Sequence, residues 1–190
     1  AEAPTTEEIP EKVYDTRQPF DLSDELQTRV ETLDLVDTVE HAKHEGYAVA
    51  ESPACAEFNN RLRETILRIA KENKGVRANN MLLDKDPVFQ EVVLNPSLLA
   101  IAEVMVGKGA MLSQMAASVR TEGPATLPLH ADQNWMPAPF PVHNGLVTFC
   151  WACDEFTMEG GSTKVIPGTH ELRRHPNKQA IEVCDGAIAI

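Results

Sequence analysis

The feature that most constrains this chain is a change of texture at Gly107 and Gly109. Before it, apolar residues recur every three or four positions between helix-start and helix-stop residues. After it, short apolar runs are separated by Gly- and Pro-containing turns. A period of 3.6 buries one stripe of a helix, whereas a period of two buries one face of a strand. The order therefore predicts a helical layer followed by a strand-built layer. That is an α+β chain whose second half forms a sandwich or barrel.

The helical half reads as five helices and one short strand. Leu22 to Val30 suits a short helix. Asp34 is expected to cap a helix running to about Glu45, with Leu35, Val39 and Ala42 on one face and Gly46 at its end. Tyr47-Ala48-Val49-Ala50 reads as a short strand. Ser52-Pro53 combines an N-cap with Pro at the first helical position. Phe58, Leu62, Ile66, Ile69 and Ala70 then predict a helix over about 53–73. Asp86-Pro87 and Asn95-Pro96 open two more, the second burying Leu98, Leu99, Ala102, Val104 and Met105 before Gly107.

The strand half is read as Ala110–Arg120, Leu127–Asp132, Leu146–Phe156, Ser162–Ile166, Glu182–Cys184 and Ala187–Ile190. Thr121 to Pro124, the proline-rich Met136 to Pro141, Met158 to Gly161, and Pro167-Gly168 separate them. Residues 1–20 are acidic and proline-containing and read as an extended arm. Residues 21–190 read as a single domain, with a helical lead-in over about 21–107 and strands over about 109–190. The chain stops on Ala187-Ile188-Ala189-Ile190, an apolar strand without a closing element, which predicts that more chain belongs to the domain.

A net charge of −12 argues against nucleic acid, which needs clustered Lys and Arg, and against anionic membrane surfaces. The apolar stretch Leu98 to Val106 falls far short of a bilayer, and Ala1 to Pro10 lacks the apolar core of a signal peptide. Cysteines at 55, 150, 153 and 184 are sparse for a disulfide-stapled domain and point to a reducing cytoplasm.

The sharpest site candidate is His130-Ala131-Asp132. Two residues apart on a strand, imidazole and carboxylate project from one face and can reach one ion. A second histidine from a distant strand would complete a two-His-one-carboxylate facial triad, leaving positions open for cosubstrate and oxygen. Taken alone the motif is weak: six His and ten Asp give roughly 0.3 chance occurrences. The plain alternative is an exposed histidine beside a loop aspartate. His170 reads as a turn-fixing residue, His143 and His175 as loop residues, and His41 and His44 as a hydrated helix face. Cys150 and Cys153, three apart within an apolar strand, point to opposite faces and read as buried structural thiols rather than a metal or redox pair. Gln133 and Trp135 are candidates for the substrate pocket, with core packing the alternative for Trp135. Trp151 reads as core. Gln114 and Ser118 oppose a face of Met115, Ala117 and Val119, and the sequence does not choose between the two faces.

Leu129 to Trp135, Thr148 to Phe156, Gly160-Gly161-Ser162 and Val165-Ile166-Pro167-Gly168-Thr169-His170 form an ordered series that resembles the phytanoyl-CoA dioxygenase family. Arg77 to Leu83, Pro87-Val88-Phe89 and Leu98 to Gly107 are similar to that family's helical lead-in. The resemblance covers about 35–190. It implies a double-stranded β-helix (a jelly roll, cupin-like) behind N-terminal helices. It also implies Fe(II) held by His130, Asp132 and a distal histidine, with 2-oxoglutarate held by an arginine shortly after that histidine. Oxygen would convert 2-oxoglutarate to succinate and CO2 while a small organic substrate is oxidised. An aspartate at 132, where related halogenases carry a small residue, favours hydroxylation. The distal histidine and the arginine are not in this chain. A truncated sequence or a protein that has lost catalysis would each account for this. In the second case the chain is a jelly-roll binding or sensing module with an incomplete metal site. A metal hydrolase is a weaker alternative, since no general base or second ligand set is recognisable.

Overall fold

The structure is a computed structural model that describes residues 20–51, 54–73, 78–120, 127–176 and 188–189. Residues 1–19 of the expected arm lie outside the described residues.

The helical layer forms from its local signals. Helix α1 (Asp24–Thr32) starts where the Ser23 side chain accepts from the Leu26 N–H. Its end corrects the reading of Asp34. Asp34 does not cap the next helix but takes a left-handed conformation (φ 56°). Its N–H bonds to the Glu31 carbonyl and that of Leu35 to the Val30 carbonyl, the Schellman pattern that usually selects glycine. Aspartate is among the few residues that tolerate this conformation. Helix α2 (Val36–Glu45) follows, buries Val39 and Ala42, and ends on Gly46 at φ 80°. Helix α3 (Ala56–Glu72) starts after Cys55, without a side-chain cap. The expected Ser52-Pro53 start lies outside the described residues. Helices α4 (Pro87–Val93) and α5 (Pro96–Val106) begin as expected, with Asp86 accepting from Val88 N–H and Asn95 from Ser97 and Leu98 N–H.

Two clusters bury this layer. The first joins Leu26 and Val30 of α1, Leu35 and Val39 at α2, and Ala100 and Val104 of α5. Arg29 donates to Glu103 at 2.6 Å across its edge. Leu99, expected inside, is 41% exposed, and Ala100 is fully buried instead. Helix α5 is apolar almost all round, so periodicity could not tell which face α1 would cover.

The second cluster joins Leu62 and Ile69 of α3, Leu82, and Val88, Phe89 and Val92 of α4. Met115, Ala117, Trp151 and Cys153 of the second half pack against it. It therefore welds the two halves together.

Regular strand is sparse. β1 (Ala78–Asn80) pairs antiparallel with β2 (Ala116–Ser118), and β3 (Lys164–Val165) with β4 (Ile188–Ala189). β1 lies in the stretch expected within the helical lead-in. Ala110–Arg120 and Ser162–Ile166 shrink to these short ladders, and of Ala187–Ile190 the described residues are the two of β4. Tyr47–Ala50, Leu127–Asp132 and Leu146–Phe156 make none, and Glu182–Cys184 lies outside the described residues. Apolar alternation sets which face of an extended segment is buried. A ladder needs a partner for its N–H and C=O groups as well. The molecule is thus a mixed helical chain with few strands, and the described residues do not form a closed double-stranded β-helix.

Candidate metal centre

The extended segment 146–156 is fixed from the helical side. Trp151 lies edge-on to Phe58 of α3, ring centroids 5.7 Å apart, and its indole N–H donates to Asn59 Oδ1 at 2.9 Å. Asp154 pairs with Arg63 of the same helix at 2.5 Å. Trp151 and Cys153 thus face α3 and α4. In an extended chain, Thr148 and Cys150 must then face the other way. That is where the structure puts them. The Thr148 hydroxyl donates to Asp132 Oδ2 at 2.6 Å. The Cys150 thiol is raised above its ordinary value, first by loss of surrounding water and then by the Asp132 carboxylate, against a hydrogen bond to Thr163.

His130 and Asp132 meet as the strand periodicity predicts. His130 Nε2 stands 3.2 Å from Asp132 Oδ1, each side chain about half exposed (49% and 48%). His130 Nδ1 lies 2.7 Å from the Pro128 carbonyl. A carbonyl only accepts, so Nδ1 carries a proton. Nε2 then meets Oδ1 either as the second N–H of a charged ring or as a lone pair with a cation between the two atoms. Adjacent corners of an octahedron with bonds of about 2.1 Å are about 3.0 Å apart, close to the observed separation. A carbonyl that fixes the tautomer and a hydroxyl that holds the far carboxylate oxygen are the outer supports a metal ligand pair needs. The donor set therefore fits a divalent metal with N/O preference.

Other predicted residues lie elsewhere. Among the described residues no group of three or more His, Cys, Asp or Glu forms a metal cluster. The His170 ring lies over Gly46, where an added Cβ would overlap it, and Gly168 N–H bonds to the Glu45 carbonyl at 2.9 Å. The Pro-Gly-Thr-His turn is thus docked on the end of α2. His175 Nε2 is 2.8 Å from the Met136 carbonyl, and its ring meets Phe140 edge-on. His41 packs edge-on against Tyr47, and His44 makes a 3.8 Å exposed contact with Glu40. His143 is exposed. Gln133 Oε1 accepts from Gly145 N–H at 3.3 Å and closes the base of the loop that follows the pair. Trp135, at 62% exposure, is not a core residue. Trp151 is packed against the core as expected. Cys150 is exposed as a residue although its thiol is partly shielded from water, so only the opposite-face half of the cysteine reading holds; the three described cysteines are free. Met115 and Ala117 take the inner face, turning Gln114 outward to bond with Asn80 at 3.0 Å.

Sequence reasoning missed Thr148. The signal was present: once Trp151 is assigned to the core, parity alone sends Thr148 and Cys150 to the opposite face.

A helical layer backing an extended His-x-Asp pair, with Nε2 and Oδ1 converging, defines a class of chain able to offer one nitrogen and one oxygen donor to a single ion. More specifically, the chain belongs to the phytanoyl-CoA dioxygenase (PhyH) family, whose model matches residues 13–183. It is similar to the dioxygenase af480 of Aspergillus fumigatus, 26% identical over 158 residues covering 74% of this chain and 50% of that protein. It is also similar to the dioxygenase aneA of Aspergillus aculeatus, 36% identical over 103 residues covering 50% of this chain and 35% of that protein. The chain thus spans half the length, or less, of these curated relatives. No solved structure shows a significant match. Among the described residues, no single helix is long and apolar enough to cross a membrane.

Proposed function

We propose that this chain carries the His-x-Asp half of the iron site of an Fe(II)/2-oxoglutarate-dependent dioxygenase that hydroxylates or otherwise oxidises a small organic substrate. The observation that carries the reading is the approach of His130 Nε2 to Asp132 Oδ1, with Nδ1 committed to the Pro128 carbonyl. Family membership and relatives named dioxygenases support it. In this reading 21–190 belongs to one oxygenase domain, and the extended segments are strands of a jelly roll. The third iron ligand and the arginine for 2-oxoglutarate come from residues outside this chain, as the greater length of the relatives allows.

Bound at this pair, Fe(II) with 2-oxoglutarate and O2 would supply a two-electron oxidation of the substrate, releasing succinate and CO2. The chain's own residues do the rest. The Pro128 carbonyl engages Nδ1, which leaves Nε2 as the nitrogen that would face the ion, and Thr148 holds the far oxygen of Asp132. A carboxylate at 132 fills a ligand position that a halide would otherwise need, which favours hydroxylation. Gln133 and Trp135, which follow the pair in sequence, are the residues proposed to line the substrate pocket. Free cysteines accord with a cytoplasmic setting.

The test uses the intact protein, loaded anaerobically with Fe(II) and 2-oxoglutarate and then exposed to oxygen. Succinate should form, and His130→Ala should abolish it. Succinate no higher than in that control would remove the reading and leave a jelly-roll binding module without turnover.

A further inference from the structure

We propose that Thr148 is a positioning residue for the metal centre: its hydroxyl selects which oxygen of Asp132 binds the ion. This rests on the reading that His130 and Asp132 hold a metal.

An aspartate has two equivalent oxygens and a χ2 torsion that is broad and two-fold, so the carboxylate alone does not determine which oxygen faces a ligand. Here the two oxygens are distinguished. Oδ2 accepts the Thr148 hydroxyl at 2.6 Å, the short length of a charge-assisted bond. Oδ1 is left toward His130 Nε2 at 3.2 Å. One oxygen engaged and one free means single-oxygen binding of the ion, which keeps a further position open for cosubstrate.

Thr148 can do this because its segment is anchored from behind. Trp151 is held to Phe58 and Asn59, and Asp154 to Arg63, all on α3. The hydroxyl is therefore fixed by the helical layer rather than by the loop that carries the ligands. Threonine suits the position, since a β-branched side chain has few χ1 states to lose.

The experiment compares the intact wild-type protein with Thr148→Val, which keeps the shape and loses the donor, and Thr148→Ser, which keeps the donor. Co(II) is the probe, read by calorimetric affinity and by visible absorption of the bound ion. Thr148→Val should bind Co(II) about ten-fold or more weakly and shift the absorption, with an unchanged thermal melt. Thr148→Ser should restore both. If valine is not accommodated, Thr148→Ala makes the same comparison. Wild-type affinity and spectrum in the valine or alanine variant would overturn the proposal. Asp132→Ala separates the two levels. If it abolishes Co(II) binding while loss of the hydroxyl changes nothing, only the role of Thr148 falls. If it leaves binding intact, the metal reading falls and this inference with it.

Discussion

The two halves of the molecule are held together by different means. The helical half carries its own instructions: Ser23, Asp86 and Asn95 cap helix starts with their side chains, and Gly46 and Gly107 sit at helix ends. Its first cluster is built from α1, α2, α5 and the short segments next to them, including Leu35. The extended half has short ladders and borrows its order. Segment 146–156 makes no ladder and is placed by contacts to α3. The His130–Asp132 pair is one step further out, tied to that segment through Thr148. The comparison teaches that the site is positioned by a relay from helix to anchored segment to ligand, and that the relay starts in the second cluster.

The most damaging change should be at the start of that relay. Phe89 is 1% exposed at the centre of the second cluster, and Phe89→Ala should cost about 3–5 kcal/mol in chemical denaturation. A loss below about 1 kcal/mol would show that the cluster is not the weld between the halves. Trp151→Phe is gentler. It leaves Asn59 without its indole donor and should cost about 1 kcal/mol. It should also weaken metal binding at His130 and Asp132, measured by the same calorimetry. Unchanged metal affinity would break the relay while leaving both halves folded.

Two smaller effects sharpen the comparison. The Cys150 thiol, held up by desolvation and by Asp132, should react more slowly with iodoacetamide at neutral pH than an unperturbed cysteine. Asp132→Asn should speed it, read by peptide mass spectrometry. No change would mean that the Asp132 carboxylate does not act on the Cys150 thiol. On the helical side, the Arg61 hydrogen bond holds the Glu91 carboxyl below its usual range. A lowered folded value means that the stabilisation is complete above the ordinary glutamate range. It is lost as pH falls through the folded value. Wild-type and Glu91→Gln melts should therefore differ slightly near neutrality and converge in acid.

How much of this was legible varies with the range of the interaction. The α3 face of Phe58, Leu62, Ile66, Ile69 and Ala70 follows from spacing, as do the Asp86-Pro87 and Asn95-Pro96 starts. Asp34 was misread because one residue can serve as a cap or as a left-handed helix end. The burial of Leu35 and Val30 against Ala100 and Val104, which selects the second, is a tertiary fact. Leu99 was misplaced because an apolar helix has no face until a neighbour covers one. The His130–Asp132 pair was legible because strand geometry places residues two apart on one side.

By itself, the sequence determined the order of helical and extended layers, the starts of α4 and α5, and the shared face of His130 and Asp132. These depend on backbone periods and on side chains bonding to N–H groups a few residues away. The tertiary structure alone decided that α1 covers Ala100, that Trp151 locks onto α3, and that Thr148 reaches Asp132 across 16 residues of chain. Such contacts depend on which surfaces the folded chain brings within a few ångströms, and no local period encodes that distance.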